Sequence, residues 1–130
     1  MFNNSRSFSS FSTYDLASAK AFYGDTLGLN VKEEAMHVLS IDLPGGGSLF
    51  IYPKKDHAPA TFTVLNFQVD DIDAAVEELN AKGIAIERYD IGEVQPDDKG
   101  IYRGKAAGHG PDIAWFKDPA GNILSVIQAK

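Results

Sequence analysis

The chain has 130 residues, 44% hydrophobic and 23% charged, which suits one folded core and excludes both a disordered chain and a scaffold that needs cross-links. Twelve Lys and Arg against eighteen Asp and Glu give a formal charge of −6, which opposes binding to nucleic acid, and Lys54-Lys55, the nearest thing to a basic run, is followed at once by Asp56. There is no cysteine for a disulfide framework or a thiolate metal site, and no stretch reads as a signal peptide or a membrane span, so the expected location is the cytoplasm.

In chain order, residues 8–13 read as a strand. Asp15 then caps a helix whose apolar positions Leu16, Ala19, Phe22, Tyr23 and Leu27 recur at helical spacing until Gly28. Strands are expected at about 29–35, 37–43 and 48–53, with Gly45-Gly46-Gly47 as a hairpin turn; the run lacks the Lys-Ser or Lys-Thr of a phosphate loop. The pattern then restarts with a strand at 62–69, a cap at Asp70 or Asp71, and Ile72, Ala75, Val76 and Leu79 on one helix face before Gly83. Further strands are expected at 84–90, 100–106, 112–117 and 123–128. The last two are joined by the turn sequence Asp118-Pro119-Ala120-Gly121, and Asp97-Asp98 reads as a solvated loop.

The helix-start aspartates Asp15 and Asp71 lie 56 residues apart, each preceded by a strand and followed by Gly about a dozen residues on. The expectation is an α+β domain, residues 1–130, with paired modules at about 8–53 and 62–128 and helices covering one face of an antiparallel-rich sheet. Period-two alternation sorts the strand faces. Phe11, Leu49, Ile51, Leu65, Phe67, Leu124 and Val126 form an apolar set suited to packing under the helices. Ser10, Ser12, Ser48, Phe50, Tyr52, Val64, Asn66, Gln68, Ile123, Ser125 and Ile127 form the other set, a mixture of aromatic surface and a few polar groups that suits a small-molecule site.

Three segments carry a resemblance: FYGDTLGL at 22–29, VDDIDAAVEELNAKGI at 69–84 and WFKDPAGNIL at 115–124. In this order and spacing the sequence resembles the vicinal-oxygen-chelate superfamily of glyoxalases, bleomycin-resistance proteins and extradiol dioxygenases. The resemblance implies paired βαβββ modules forming a curved mixed sheet around a cup, helices on the outer face, and a homodimer. Enzymes of that family hold a divalent metal with His, Gln or Glu from four strands, and those positions fall here on Phe8, Phe50, Val64 and Ser125. Phe and Val have no donor atom and a neutral Ser hydroxyl does not hold a metal alone, so no metal or other cofactor is expected.

The expected function is therefore metal-independent binding of an aromatic or amphipathic small molecule, with Phe8, Ser10, Phe50, Tyr52, Val64, Asn66, Tyr102, Trp115 and Ser125 as candidate ligand-binding residues. Several readings stay open. A bulge before the 118–121 turn exchanges Trp115 with Phe116, Tyr102 either closes the cup or anchors a loop, and Arg103 either meets a ligand carboxylate or lies in solvent. The alternative is an enzyme: a glyoxalase-like lyase or isomerase or a dioxygenase with a metal held by other ligands, or a metal-free one using His109, which lies between Gly108 and Gly110.

Overall fold

Each copy of the repeat builds one four-stranded mixed sheet with a helix packed on one face. The computed structural model describes residues 1–130 and divides into two compact units, Met1–Pro59 and Ala60–Lys130.

In the first unit, β1 (Ser9–Thr13) runs parallel to β4 (Ser48–Pro53), and β3 (Val38–Asp42) and β2 (Asn30–Glu34) follow antiparallel, giving the order β1-β4-β3-β2. Asp15 caps α1 (Leu16–Lys20), its carboxylate accepting from the N–H groups of Ala17 and Ser18 as the sequence leads one to expect. The helix does not continue as regular α structure to Gly28. Residues Ala21–Thr26 form a π-helix, with the Leu27 N–H bonded to the Phe22 carbonyl five residues back. The wider turn changes the phase of the helix, so the adjacent Phe22 and Tyr23 are both buried. Leu39, Ile41, Leu49 and Ile51, all fully buried, meet across β3 and β4, the strands on which α1 packs. The glycine run closes the β3–β4 hairpin, with Leu43 and Gly47 bonded and all three glycines at positive φ.

The second unit repeats the plan with β5 (Thr63–Gln68), β8 (Ile123–Gln128), β7 (Asp112–Lys117) and β6 (Tyr102–Arg103), in the order β5-β8-β7-β6. Asp71, one of the two expected caps, accepts from Ala74 N–H at the start of α2 (Ile72–Ala81), and the Ile72 N–H is taken by the side chain of Gln128. Ile72, Val76 and Leu79 are buried, and the helix packs on β8 and β7, where Phe116, Leu124 and Val126 are also buried.

Two expected strands are corrected. Residues 84–90 form no strand and share one backbone bridge with the sheet, in which the Glu87 N–H reaches the Trp115 carbonyl at 2.8 Å. Residues 100–106 hold only the two-residue β6, followed directly by α3 (Gly104–Ala107). Side chains meet the backbone's hydrogen-bonding needs there. The Asp97 carboxylate accepts from the N–H groups of Lys99 and Ile101, Arg88 donates to the carbonyls of Asp97 and Asp98, and Asp112 accepts from Lys105 N–H. Gly104 is required by space, since a Cβ at that position lies 2.3 Å from the Pro111 carbonyl oxygen.

Candidate functional site

The face of each sheet opposite its helix carries the polar and aromatic set. In the first unit the register aligns Ser10, Phe50, Ser40 and Lys32 in one row and places Ser12 opposite Tyr52. Phe8 precedes β1 and is 64% exposed, with its ring 4.7 Å from that of Phe50; Tyr52 is also exposed. Two acidic members of this face are engaged with neighbours, Glu34 accepting from the Ser40 hydroxyl at 2.7 Å and Asp42 from the Asn30 amide at 3.1 Å.

In the second unit the corresponding row runs Asn66, Ser125, Trp115, with Glu87 bridged to Trp115. Trp115 and Ser125 share the open face, and Phe116 is buried on the helix side, which resolves the parity left open by the sequence. The fully buried Ser125 hydroxyl donates to Asn66 Oδ1 at 2.5 Å, leaving the exposed Asn66 amide with its N–H₂ donors. Val64 falls in a bulge, because Thr63 pairs with Ile123 and Leu65 already with Leu124. The bulge turns Thr63 onto the open face, where its hydroxyl accepts the Trp115 indole N–H at 2.8 Å.

Tyr102 is buried, its ring 4.9 Å from that of Trp115, and its hydroxyl donates to the Tyr89 carbonyl at 2.5 Å while accepting from the Tyr89 N–H. Of the two roles open for Tyr102, the structure assigns the loop anchor. Sequence reasoning missed Thr63 and Tyr89. The first depends on a bulge, and the second lies in a segment whose alternation imitates a strand.

Arg103 faces no open site. It makes a bidentate contact with Asp73 at 2.7 and 3.1 Å and a third bond to Asp97 at 2.9 Å, with Asp112 at 3.7 Å. The Arg103 bonds, joined by Lys99, hold the Asp73 carboxyl well below the usual range. At Asp97 burial works against the charge, but the Ile101 N–H, Arg103 and the Lys99 N–H outweigh it and keep that pKa low as well. Asp97 is thus part of a built network rather than a solvated loop.

The four positions at which the resemblance places metal ligands do not fit a metal. Phe8, Phe50 and Val64 offer no donor, the Ser125 hydroxyl is bonded to Asn66, and no three His, Asp or Glu side chains form a group that could hold a metal ion, the carboxylates of Asp73, Asp97 and Asp112 being gathered about Arg103. The histidines lie elsewhere. His57 is buried with Nδ1 2.6 Å from the Ser12 hydroxyl and its ring edge-on to Tyr14, His37 sits at positive φ in the β2–β3 turn, and His109 Nε2 lies 3.0 Å from Glu93.

The family model of the Glyoxalase/Bleomycin resistance protein/Dioxygenase superfamily matches residues 10–126. The chain belongs to this superfamily. Among solved structures it is similar to a putative glyoxalase family protein from Bacillus anthracis, at 18% identity and TM-score 0.68 over all of both chains. It is similar also to the fosfomycin resistance protein FosX from Listeria monocytogenes, at 14% identity and TM-score 0.70 over 98% of this chain and 92% of that one. A third is TnmS3, an antibiotic binding protein from Streptomyces sp. CB03234, at 21% identity and TM-score 0.66 over 98% of both chains. At these identities the likeness is one of fold. No curated protein sequence matches the chain. No helix is long and apolar enough to cross a membrane.

Proposed function

We propose that this superfamily member is a cytoplasmic, homodimeric small-molecule-binding protein that holds an aromatic or amphipathic ligand on an open sheet face without a metal. The observation that carries this reading is the row Asn66, Ser125, Trp115, where a half-buried indole stands beside a hydrogen-bonded polar pair in place of metal donors. The indole supplies apolar area and a face for stacking, and its own N–H is already satisfied by Thr63, so binding leaves no donor orphaned there. Asn66 supplies the donors that orient the ligand. The exposed Phe8 and Tyr52 and the half-buried Phe50 give the first unit a second aromatic surface of the same kind.

Thermal shift on metal-stripped protein tests the proposal, since a ligand that binds only the folded state raises its apparent stability. Stabilisation by members of a panel of uncharged aromatic compounds, lost in Trp115→Ala, is the expected result. A large saturable shift with one divalent ion and none with organic compounds refutes it. Light scattering during gel filtration checks the dimer.

The enzymatic alternative rests on the contact between His109 and Glu93, in which the two side chains are 51% and 83% exposed. Two side chains so open to water lack the enclosed, water-excluded site in which acid–base chemistry is carried out, which favours the binding reading.

A further inference from the structure

The Tyr89 hydroxyl is buried and has no hydrogen-bond partner, an uncommon state for a group whose desolvation costs free energy unless a partner arrives. Its ring stands edge-on to Trp115, centroids 5.7 Å apart, and its backbone is pinned on both sides by the Tyr102 hydroxyl. A surface tyrosine with an idle hydroxyl would turn to water, but here the backbone is fixed and the ring lies against the indole.

Charge around this cluster is sparse. Glu87, whose amide is bridged to Trp115, pairs with Lys117 at 3.5 Å, and the remaining open-face side chains Thr63, Asn66, Ser125 and Ile127 are neutral. Burial first, then the negative charge of Glu87, makes the Tyr89 phenol harder to ionise than an ordinary tyrosine, so it stays a donor across the physiological range. The Glu87–Lys117 pair carries no net charge, so nothing beside the ring compensates the desolvation of an anion.

We infer that Tyr89 is a specificity-determining residue of the proposed site, its hydroxyl, covered in the free protein, being uncovered as an uncharged aromatic ligand enters beside Trp115 and donating to a neutral acceptor, a carbonyl or ether oxygen, on that ligand. The inference rests on the proposed binding role of that face. The missing partner is thereby supplied by the ligand, and an analogue without the acceptor leaves the donor unpaired, which is the source of discrimination.

The test compares coumarin, neutral and carrying a lactone carbonyl, with naphthalene, which has no acceptor, and coumarin-3-carboxylate, an anion, by fluorescence titration of wild type, Tyr89→Phe and Trp115→Ala. Wild type is expected to prefer coumarin over the carboxylate by about tenfold, and Tyr89→Phe to lower coumarin affinity about three- to tenfold with naphthalene unchanged. Melting of the unliganded Tyr89→Phe protein serves as control. Its midpoint should hold or rise, since an unsatisfied group is removed, whereas a purely structural hydroxyl would give a fall. Undiminished coumarin binding by Tyr89→Phe, or equal binding of the anion, overturns the inference and leaves the binding role standing. No binding of either neutral compound by wild type, repeated across a panel of uncharged aromatic carbonyl compounds, defeats the binding role and the inference together.

Discussion

The two units differ most beside their third strands. In the first, β2 pairs with β3 over five residues, an ordinary antiparallel ladder. In the second, the equivalent place beside β7 is shared between the Glu87 bridge and the two residues of β6, with a long looped segment between them. A strand can therefore be replaced without loss of the sheet when side chains take over its hydrogen bonds, as Asp97, Arg88 and Asp112 do here. The exchange also changes the open face. The row that ends in Lys32 in the first unit ends in the second at Trp115 and the Glu87 bridge, with Tyr89 and Tyr102 against the indole. The regular unit adds charge to its aromatic face, and the irregular one gathers its aromatic rings round a single indole.

The comparison is broken most severely by Gly104→Ala, whose new methyl meets a backbone carbonyl that cannot step aside. A loss of about 2–3 kcal/mol is expected, read as a lowered urea midpoint, whereas a wild-type midpoint means that the Pro111 segment yields. Next comes Tyr102→Phe, which frees the Tyr89 amide and carbonyl at once and should cost about 1–3 kcal/mol. Hydrogen exchange should then quicken at residues 84–101 while the β2–β3 ladder keeps its protection. Uniform loosening of both units would mean that the loop is not held separately.

Arg103→Met should cost on the order of 1 kcal/mol near pH 7, because the network it anchors is partly exposed and screened. Its sharper signature is in acid. The Asp73 and Asp97 pKa values are lowered by folding, so their contribution is present above the ordinary carboxylate pKa of about 4 and lost as the pH falls toward the folded values. Wild type should lose stability below about pH 4, and Arg103→Met should lose less over the same range. Parallel acid profiles would remove the network from the account. The smallest effect belongs to the regular unit: Ser40→Ala deletes an exposed bond to Glu34 and should change stability by no more than about 0.5 kcal/mol by thermal melting.

Much of this was legible in the residues. Asp15 and Asp71 cap their helices, Leu49, Ile51, Leu124 and Val126 alternate into the core, the glycine run and the 118–121 turn close hairpins, and the 56-residue spacing marks the duplication. What failed was local. Residues 84–90 and 100–106 have the alternation of strands, yet alternation describes which side chains avoid water and not which backbone groups find partners. The π turn at Ala21–Thr26 and the bulge at Val64 escaped for a related reason, since each inserts a single residue into a period that the sequence displays unbroken.

The sequence by itself determined the two helices, the cores beneath them, and the chemistry of the four family positions, because periodicity, capping and donor type are properties of residues near one another in the chain. Only the tertiary structure decided that Trp115 rather than Phe116 faces the open side, that Arg103 is held by Asp73 and Asp97, and that Tyr89 keeps a buried hydroxyl beside the indole. Those facts depend on which distant groups meet, and a hydrogen bond between residues 52 or 59 positions apart leaves no period in the sequence from which to read it.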